Sequence, residues 1–366
     1  MRNKITTILF VLMLAAGLAA HFCTPDRAYS KNEKRLLAGV PKVSAKRIRS
    51  GAFGDDIEKY LADQFPLRDS FVSVKTVTER LLGKRESGGA YFADDGYLME
   101  VRVAFDEDQI AKNVKALLKL QSQAEELNIP FRVMLVPTAA DILSQKLPKF
   151  APNADQQAVL TYAKEQGLKL IDVTEALKAH KDEYIYYRTD HHWTSLGAYY
   201  AYAAWMQDKG ETPAPLSAFK KETLCTDFRG TTYAKVNYPF AAYDTIDAYS
   251  RADSHHVDYN QGYYVTETIY ERKYLEEDNP YAVFFNSNQS VTVAQAGGQG
   301  KLLIVKDSYA NCFAQFPLDD YEEVHMIDLR FFAHPLSEYI GENGITEVLV
   351  LYNIPNFSED RNIRIK

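Results

Sequence analysis

The chain is 366 residues long, enough for two domains or for one large α/β domain with an insertion. Its formal net charge of −7 excludes nonspecific nucleic-acid binding, because neutralising phosphates needs a concentrated basic surface. Three cysteines are too few for a disulfide scaffold or a thiolate zinc site.

Residues 1–25 read as a signal peptide or membrane anchor. Arg2 and Lys4 give a positive start, and 5–23 is apolar apart from Thr6, Thr7 and His21. About 20 residues cross a bilayer as a helix, so the segment has the length of a span. Ala19-Ala20 offers small residues for cleavage, but His21-Phe22 spoils the small-x-small pattern, and Ala20-His21-Phe22 before Cys23 does not suit lipoprotein processing. A retained anchor is the favoured reading, with the basic start inside and the bulk of the chain outside. Residues 26–85 follow as a stalk with accessory helices. The stretch 28–41 is charged and has little to bury. Beyond Asp55, Ile57, Tyr60, Leu61 and Phe65 recur at helical spacing, and Phe71, Val74, Val77, Leu81 and Leu82 resume it after Pro66. Two amphipathic helices joined by 63–69 account for this.

From residue 86 onward helix and strand alternate. A helix is predicted at 108–127, carrying Ile110, Val114, Leu117, Leu118 and Ala124, and the apolar run 131–136 follows Pro130. A second helix, 154–166, stops at Gly167 before a strand at 168–173. Further apolar strands fall at 302–305, 324–327 and 348–351, the last after a helix at 336–343 and Gly344. Short continuous apolar strands separated by helices indicate a parallel sheet covered on both faces, a three-layer α/β fold. The stretch 211–300 breaks the alternation and is rich in tyrosine, among them Tyr259, Tyr270 and Tyr281. It reads as a small β-rich insertion with strands near 262–270 and 281–285. Its tyrosines either stack on sugar rings or cover a sheet edge, and the second reading suits most of them. Arg229 and His255-His256 are placed there for contact with substrate or solvent. Cys225 and Cys312 either pair outside the cytoplasm or leave Cys312 as a small buried hydrophobe.

Two segments carry chemistry. Arg188-Thr189-Asp190-His191-His192-Trp193-Thr194 precedes a helix whose buried face is marked by Leu196, Tyr199, Tyr200, Ala203 and Met206, capped by Thr194 or Ser195 and ended by Gly210. Val305-Lys306-Asp307-Ser308-Tyr309-Ala310-Asn311 joins a buried strand to a short helical run at 310–316, where open α/β sheets place ligands. A carboxylate two residues before an imidazole accepts the ring N–H, holds the tautomer and leaves the other nitrogen to take a proton from a serine. Asp190 is therefore the predicted orienting acid, His192 the base and Ser308 the nucleophile of an acyl transfer. The helix entrance is expected to keep His192 neutral, and the helix start after Ser308 to stabilise an oxyanion. Arg188, Trp193, Tyr309 and Asn353 are the candidate substrate or oxyanion contacts, with the backbone N–H of Ser308. Each piece alone has a plainer role. A serine after a strand is most often a cap, one histidine of an adjacent pair is usually only packed, Trp193 suits a wedge and Asn353 a turn. Their combination in an exported α/β chain favours the catalytic reading.

Asp190-His191-His192-Trp193 is the signature of the DHHW family of exported bacterial proteins, which the chain resembles from about Asn32 onward, including Asn32-Glu33-Lys34-Arg35-Leu36-Leu37 and 63–69. With Ser308 it is also similar to the SGNH-hydrolase-like domain of alginate O-acetyltransferases, in which Asp-X-His-Trp and a later serine form the triad. The resemblance implies an SGNH-hydrolase-like (flavodoxin-like) sheet over 86–366, with Asp190, His192 and Ser308 in the roles above and His191 at the variable position. It also implies a polysaccharide acceptor, a membrane-bound acyl-transfer partner protein and an extracytoplasmic, envelope-associated location. Ordinary SGNH esterases carry the nucleophile near the domain start and Asp-X-X-His near its end, so the likeness is to the acetyltransferase-like branch. With water as acceptor the same machinery is a carbohydrate acetyl esterase, and a non-catalytic polysaccharide-binding envelope protein would tolerate loss of Ser308. A metal-dependent phosphoesterase would want further Asp-X-Asp and glycine-rich histidine motifs, which the cluster Ala296-Gly297-Gly298-Gln299-Gly300 does not supply. Neither a metal nor a cofactor is called for by the serine chemistry.

Overall fold

A computed structural model describes residues 2–364, in which the chain forms two units. One takes in the residues up to Gly88 together with Tyr233–Phe240, the other Gly89–Thr232 and the residues from Ala241 onward. The first unit opens with α1 (Arg2–Cys23), and its stretch Lys4–Cys23 is long and apolar enough to cross a membrane. The two amphipathic helices are α2 (Ala52–Asp63) and α3 (Arg68–Leu81). Asp63, at the end of α2, accepts from both Arg35 guanidinium nitrogens (2.5 and 2.9 Å) and from the Ala38 N–H (2.9 Å). Gln64 bonds the backbone of Arg27 and Ala38. These contacts give the charged stretch 27–38 partners that apolar burial could not provide. Of the apolar residues predicted at helical spacing, Ile57, Leu61, Phe65, Phe71, Val74, Leu81 and Leu82 stay exposed.

The second unit contains, in chain order, α4 (Glu107–Glu126), β1 (Phe131–Val136), α5 (Gln156–Glu165), β2 (Leu170–Ile171), α6 (Ser195–Asp208), β3 (Val257–Tyr259), β4 (Tyr264–Thr266) and β5 (Val291–Gln295). It continues with β6 (Lys301–Lys306), α7 (Tyr309–Phe313), β7 (Glu323–Ile327), α8 (Leu336–Asn343), β8 (Glu347–Asn353) and α9 (Ile354–Glu359). The eight strands form one sheet in the order β4-β3-β5-β7-β6-β8-β1-β2. The strands β7-β6-β8-β1-β2 run parallel, and β5, β3 and β4 extend them antiparallel. Successive residues of β6 point to opposite, equally buried faces. Leu302 and Ile304 join Trp205 and Phe313 on one side, while Leu303 and Val305 join Val114, Leu117 and Ile340 on the other. That arrangement is the three-layer α/β fold.

The insertion departs from expectation. Three of its strands, β3, β4 and β5, belong to the main sheet, and only the hairpin of Lys220–Phe228 with Asp244–Ser250 stands apart. Residues 281–285 are not a strand, because a 3-10 turn (Pro280–Val283) forms there behind Pro280, whose ring fixes φ and removes a ladder donor. The cysteines are free, and Cys312 is the small buried hydrophobe rather than half of a pair with Cys225. The chain leaves β6 for β7 on one side and then returns to β8 on the other. The end of β6 therefore lies at the switch point of strand order, where such sheets open a crevice.

Candidate active site

Ser308 sits two residues beyond β6, and Asp307 fixes its backbone. Asp307 Oδ1 accepts from the Tyr309 N–H (2.9 Å), and Oδ2 accepts from the Asn353 N–H (2.9 Å), the Asn353 amide (2.6 Å) and the Asn356 amide (2.9 Å). A single buried carboxylate thus ties the exit of β6 to the exit of β8. Ser308 adopts a helical conformation (φ −68°, ψ −15°) ahead of α7, yet its hydroxyl makes no capping bond. Instead Ser308 Oγ lies 2.8 Å from His192 Nε2.

The histidine loop is held from outside by Asp244. Its carboxylate accepts from the N–H groups of Arg188 and Thr189 (2.8 Å each), from the Thr189 hydroxyl (2.6 Å) and from the Tyr184 hydroxyl (2.5 Å). Within the loop, Asp190 Oδ1 accepts from the His192 N–H (2.9 Å) and from His192 Nδ1 (2.5 Å), while Oδ2 accepts from the Thr231 N–H (2.7 Å) and hydroxyl (3.0 Å). Gly230 brings that second segment close. A Cβ built there would lie 2.1 Å from Asp190 Cβ, so no larger residue fits without moving the acid. The His192 ring stacks on Tyr281 (3.8 Å between centroids, 15°), whose hydroxyl donates to the Ser308 carbonyl (3.0 Å). Thr194 caps α6 three residues before Gly197.

Burial by itself would raise the Asp190 carboxyl, but His192, His191 and the Thr231 N–H hold it well below the usual carboxylate range. Burial, followed by the neighbouring His191, pushes the His192 imidazole down to about 4 against the pull of Asp190. Near neutrality the pair is therefore an ionised acid and a neutral imidazole with Nδ1–H on Asp190 and the Nε2 lone pair toward Ser308. Burial is the leading cause.

Other expected contacts take different places. Trp193 is fully buried, donates Nε1–H to the Tyr309 carbonyl (2.9 Å) and stacks on Phe313, so it is a wedge and not a substrate platform. Tyr309 is equally buried, and its hydroxyl bonds the His191 carbonyl. Asn353 is turned from an oxyanion role, because its amide is on Asp307 and its oxygen caps α9 through the Asn356 N–H (2.9 Å). The Arg188 guanidinium lies over Tyr97 (5.6 Å) and Tyr184 (4.9 Å). Helix α7 spans only five residues, too short to lend a strong dipole. Arg229 lies over Tyr243 (4.0 Å), while His255 bonds Asp319 (2.7 Å) and His256 bonds Glu267 (2.9 Å). Asp190, His191 and His192 bring metal-type ligand atoms together, but both Asp190 oxygens and both Nδ1 atoms are committed to hydrogen bonds within the loop and to Thr231. Asp244, Gly230 and Thr231 are not among the sequence candidates, and Tyr281 is there only as one of the insertion's tyrosines, not as a partner of His192. Only the Gly-Thr-Thr run after Arg229 offered a signal, that of a tight approach.

The DHHW protein family matches residues 93–327. The chain belongs to the DHHW family. No curated protein matches it in sequence. Among solved structures, a DHHW family protein from Eubacterium siraeum is similar with a TM-score of 0.67 at 27% identity, over 76% of this chain and 94% of that one. Bacillus cereus PatB1 with a sulfonyl adduct gives 0.62 at 22% identity, over 75% and 99%. The O-acetyltransferase domain of Pseudomonas putida AlgJ gives 0.47 at 15%, over 74% and 93%. The structures from Eubacterium siraeum and Bacillus cereus share the α/β fold of this chain, and the signature tetrapeptide is the loop that meets Ser308.

Proposed function

We propose that the protein is a serine-dependent O-acetyltransferase of the cell envelope, passing an acetyl group through Ser308 to a polysaccharide hydroxyl. The observation that carries this reading is the continuous path from Ser308 Oγ to His192 Nε2 (2.8 Å) and from His192 Nδ1 to Asp190 (2.5 Å). His192 Nε2 takes the Ser308 proton as Oγ attacks the acetyl carbonyl, then returns it to the departing group, leaving acetyl-Ser308. An acceptor hydroxyl next gives its proton to His192 Nε2, attacks the ester carbonyl, and Ser308 leaves with that proton. The Ser308 N–H, which has no protein acceptor among the described residues, is the proposed donor to the oxyanion.

The likeness of the Asp-X-His-Trp motif and later serine to alginate O-acetyltransferases favours a polysaccharide hydroxyl over water as acceptor. Helix α1 serves as an anchor that keeps the enzyme at the outer membrane surface. Acetyl groups used there have to cross the membrane, a task assigned to a membrane-bound acyl-transfer partner.

The test follows a chromogenic acetyl ester with the full chain in detergent, with and without glycan oligomers. Ser308→Ala is expected to lower release by about 10³-fold or more. PatB1 is known with a sulfonyl adduct, so a sulfonyl fluoride is the matching probe here, expected to add once, at Ser308. Acetylated oligomer supports the transferase, and acetate alone makes the protein an esterase. A folded chain that binds glycan but gives neither turnover nor adduct would show a binding protein instead.

A further inference from the structure

The two histidines of the signature reach the same carboxylate by different routes. His192 Nδ1 meets Asp190 Oδ1 directly, whereas His191 Nδ1 lies 2.6 Å from Thr231 Oγ1, and Thr231 Oγ1 lies 3.0 Å from Asp190 Oδ2. A threonine hydroxyl has one hydrogen, and an ionised carboxylate can only accept. That hydrogen therefore points to Asp190, and the Thr231 oxygen accepts from His191 Nδ1–H. The opposite arrangement would set oxygen lone pairs of Thr231 and Asp190 against each other at 3.0 Å. In the neutral ring the network assigns His191 the Nδ1–H tautomer and leaves its Nε2 an acceptor.

That acceptor is placed for a ligand. The His191 ring lies beside the His192 ring (3.8 Å between centroids, 37°), and its side chain is 28% exposed against 6% for His192. No protein donor meets His191 Nε2 among the described residues. The site thus presents two neighbouring imidazoles oriented by one carboxylate. His192 Nε2 is committed to the proton in transit between Ser308 and the attacking hydroxyl, which leaves His191 Nε2 to be satisfied by a second donor.

We propose that His191 Nε2 accepts a hydrogen bond from the hydroxyl adjacent to the attacking one, so that the enzyme selects vicinal diols, as found on pyranose rings, over isolated alcohols. This rests on the acyl-transfer reading and names the acceptor class for the same site. His191 is here a specificity residue that touches the acceptor, and the bond that forms is noncovalent. Its worth is that of one hydrogen bond that an isolated alcohol leaves unmade.

The test uses a chromogenic acetyl ester as donor and two acceptors that differ by one hydroxyl, trans-cyclohexane-1,2-diol and cyclohexanol, with the full chain in detergent. Wild type is expected to transfer to the diol with a kcat/KM about tenfold higher, per equivalent hydroxyl, than to the alcohol. In His191→Asn the amide nitrogen keeps the donor to Thr231 while the Nε2 acceptor is lost, and the preference is expected to collapse to about one. In His191→Gln, whose side-chain oxygen can reach the Nε2 position, part of the preference returns. The burst of acylation, recorded for every variant, separates the outcomes. A diol preference that survives His191→Asn, or acylation and both transfers falling by the same factor, overturns the proposal and leaves His191 a support for Asp190. Absence of any acetyl-Ser308 in wild type removes the acyl-transfer reading itself, and the acceptor assignment with it.

Discussion

In the proposed acyl transfer His192 sets the pH response of the site. A base works only when unprotonated, and burial, then His191, lower its pKa from 6.5 to about 4, so the working form persists well into acid. The kcat/KM for acetyl-ester cleavage is expected to stay flat from neutrality to about pH 5 and to fall as pH passes through about 4. A solvent-exposed imidazole would instead lose activity near 6.5. A pH profile of single-turnover acylation checks this, and a fall centred at 6.5 would mean that the ring is not buried as described. The same shift bears on stability. The unfolded chain takes up the proton first, so His192 costs the fold nothing above about pH 6.5, an increasing amount as pH drops from about 6.5 toward about 4, and nothing further below that window. Asp190→Asn removes the acceptor that holds the Nδ1–H tautomer. Acylation is expected to fall by about 10³- to 10⁴-fold with little change in KM, read from initial rates at saturating ester.

Among the elements, the site is built where segments far apart in the chain approach without room to spare. Gly230 is the clearest case, because a Cβ would press on Asp190, which is buried, short and already bonded on both oxygens. Gly230→Ala is expected to slow acylation by at least about tenfold through displacement of Asp190, and the sulfonyl adduct at Ser308 should form correspondingly slowly. An unchanged adduct rate would show that the loop yields freely. The same geometry explains what the sequence could reveal. Asp190 and His192 are two residues apart and Ser308 follows a strongly apolar strand, so their types and spacing are visible locally. Thr231 acts on Asp190 across 41 residues and Asp244 on Thr189 across 55, and neither has a local pattern to announce it. Strands β1, β6, β7 and β8 were legible because both faces are buried and their apolar runs are continuous. Of the three strands that the insertion adds to the sheet, only β4 falls within a predicted strand (262–270), β3 and β5 do not, and nothing in a strand's own residues says which edge it will join. Helix α8 was legible at both ends, since Gly344 takes a left-handed φ of +63° that stops it where the periodicity does.

Over the whole molecule, α1 bears on where the proposed chemistry takes place. A 22-residue helix rises about 33 Å at 1.5 Å per residue, enough to cross the hydrocarbon core, and Lys4–Cys23 exposes its apolar residues rather than packing them into the protein. Such an exposed apolar surface is unfavourable in water, so the helix is expected to be removed or inserted. The residues before Cys23 do not form a small-x-small cleavage pattern, so insertion is the expected outcome, with Arg2 and Lys4 retained on the cytoplasmic side. The full chain is therefore expected to sediment with membranes and to resist extraction by high salt or alkaline carbonate. A version lacking residues 2–23 is expected to remain in the soluble fraction. Protease added to intact cells stripped of their outer layers should reach the part carrying Ser308. Protection of that part would place the triad in the cytoplasm, away from envelope polysaccharide, and would remove the proposed acceptor whatever the activity of the isolated protein.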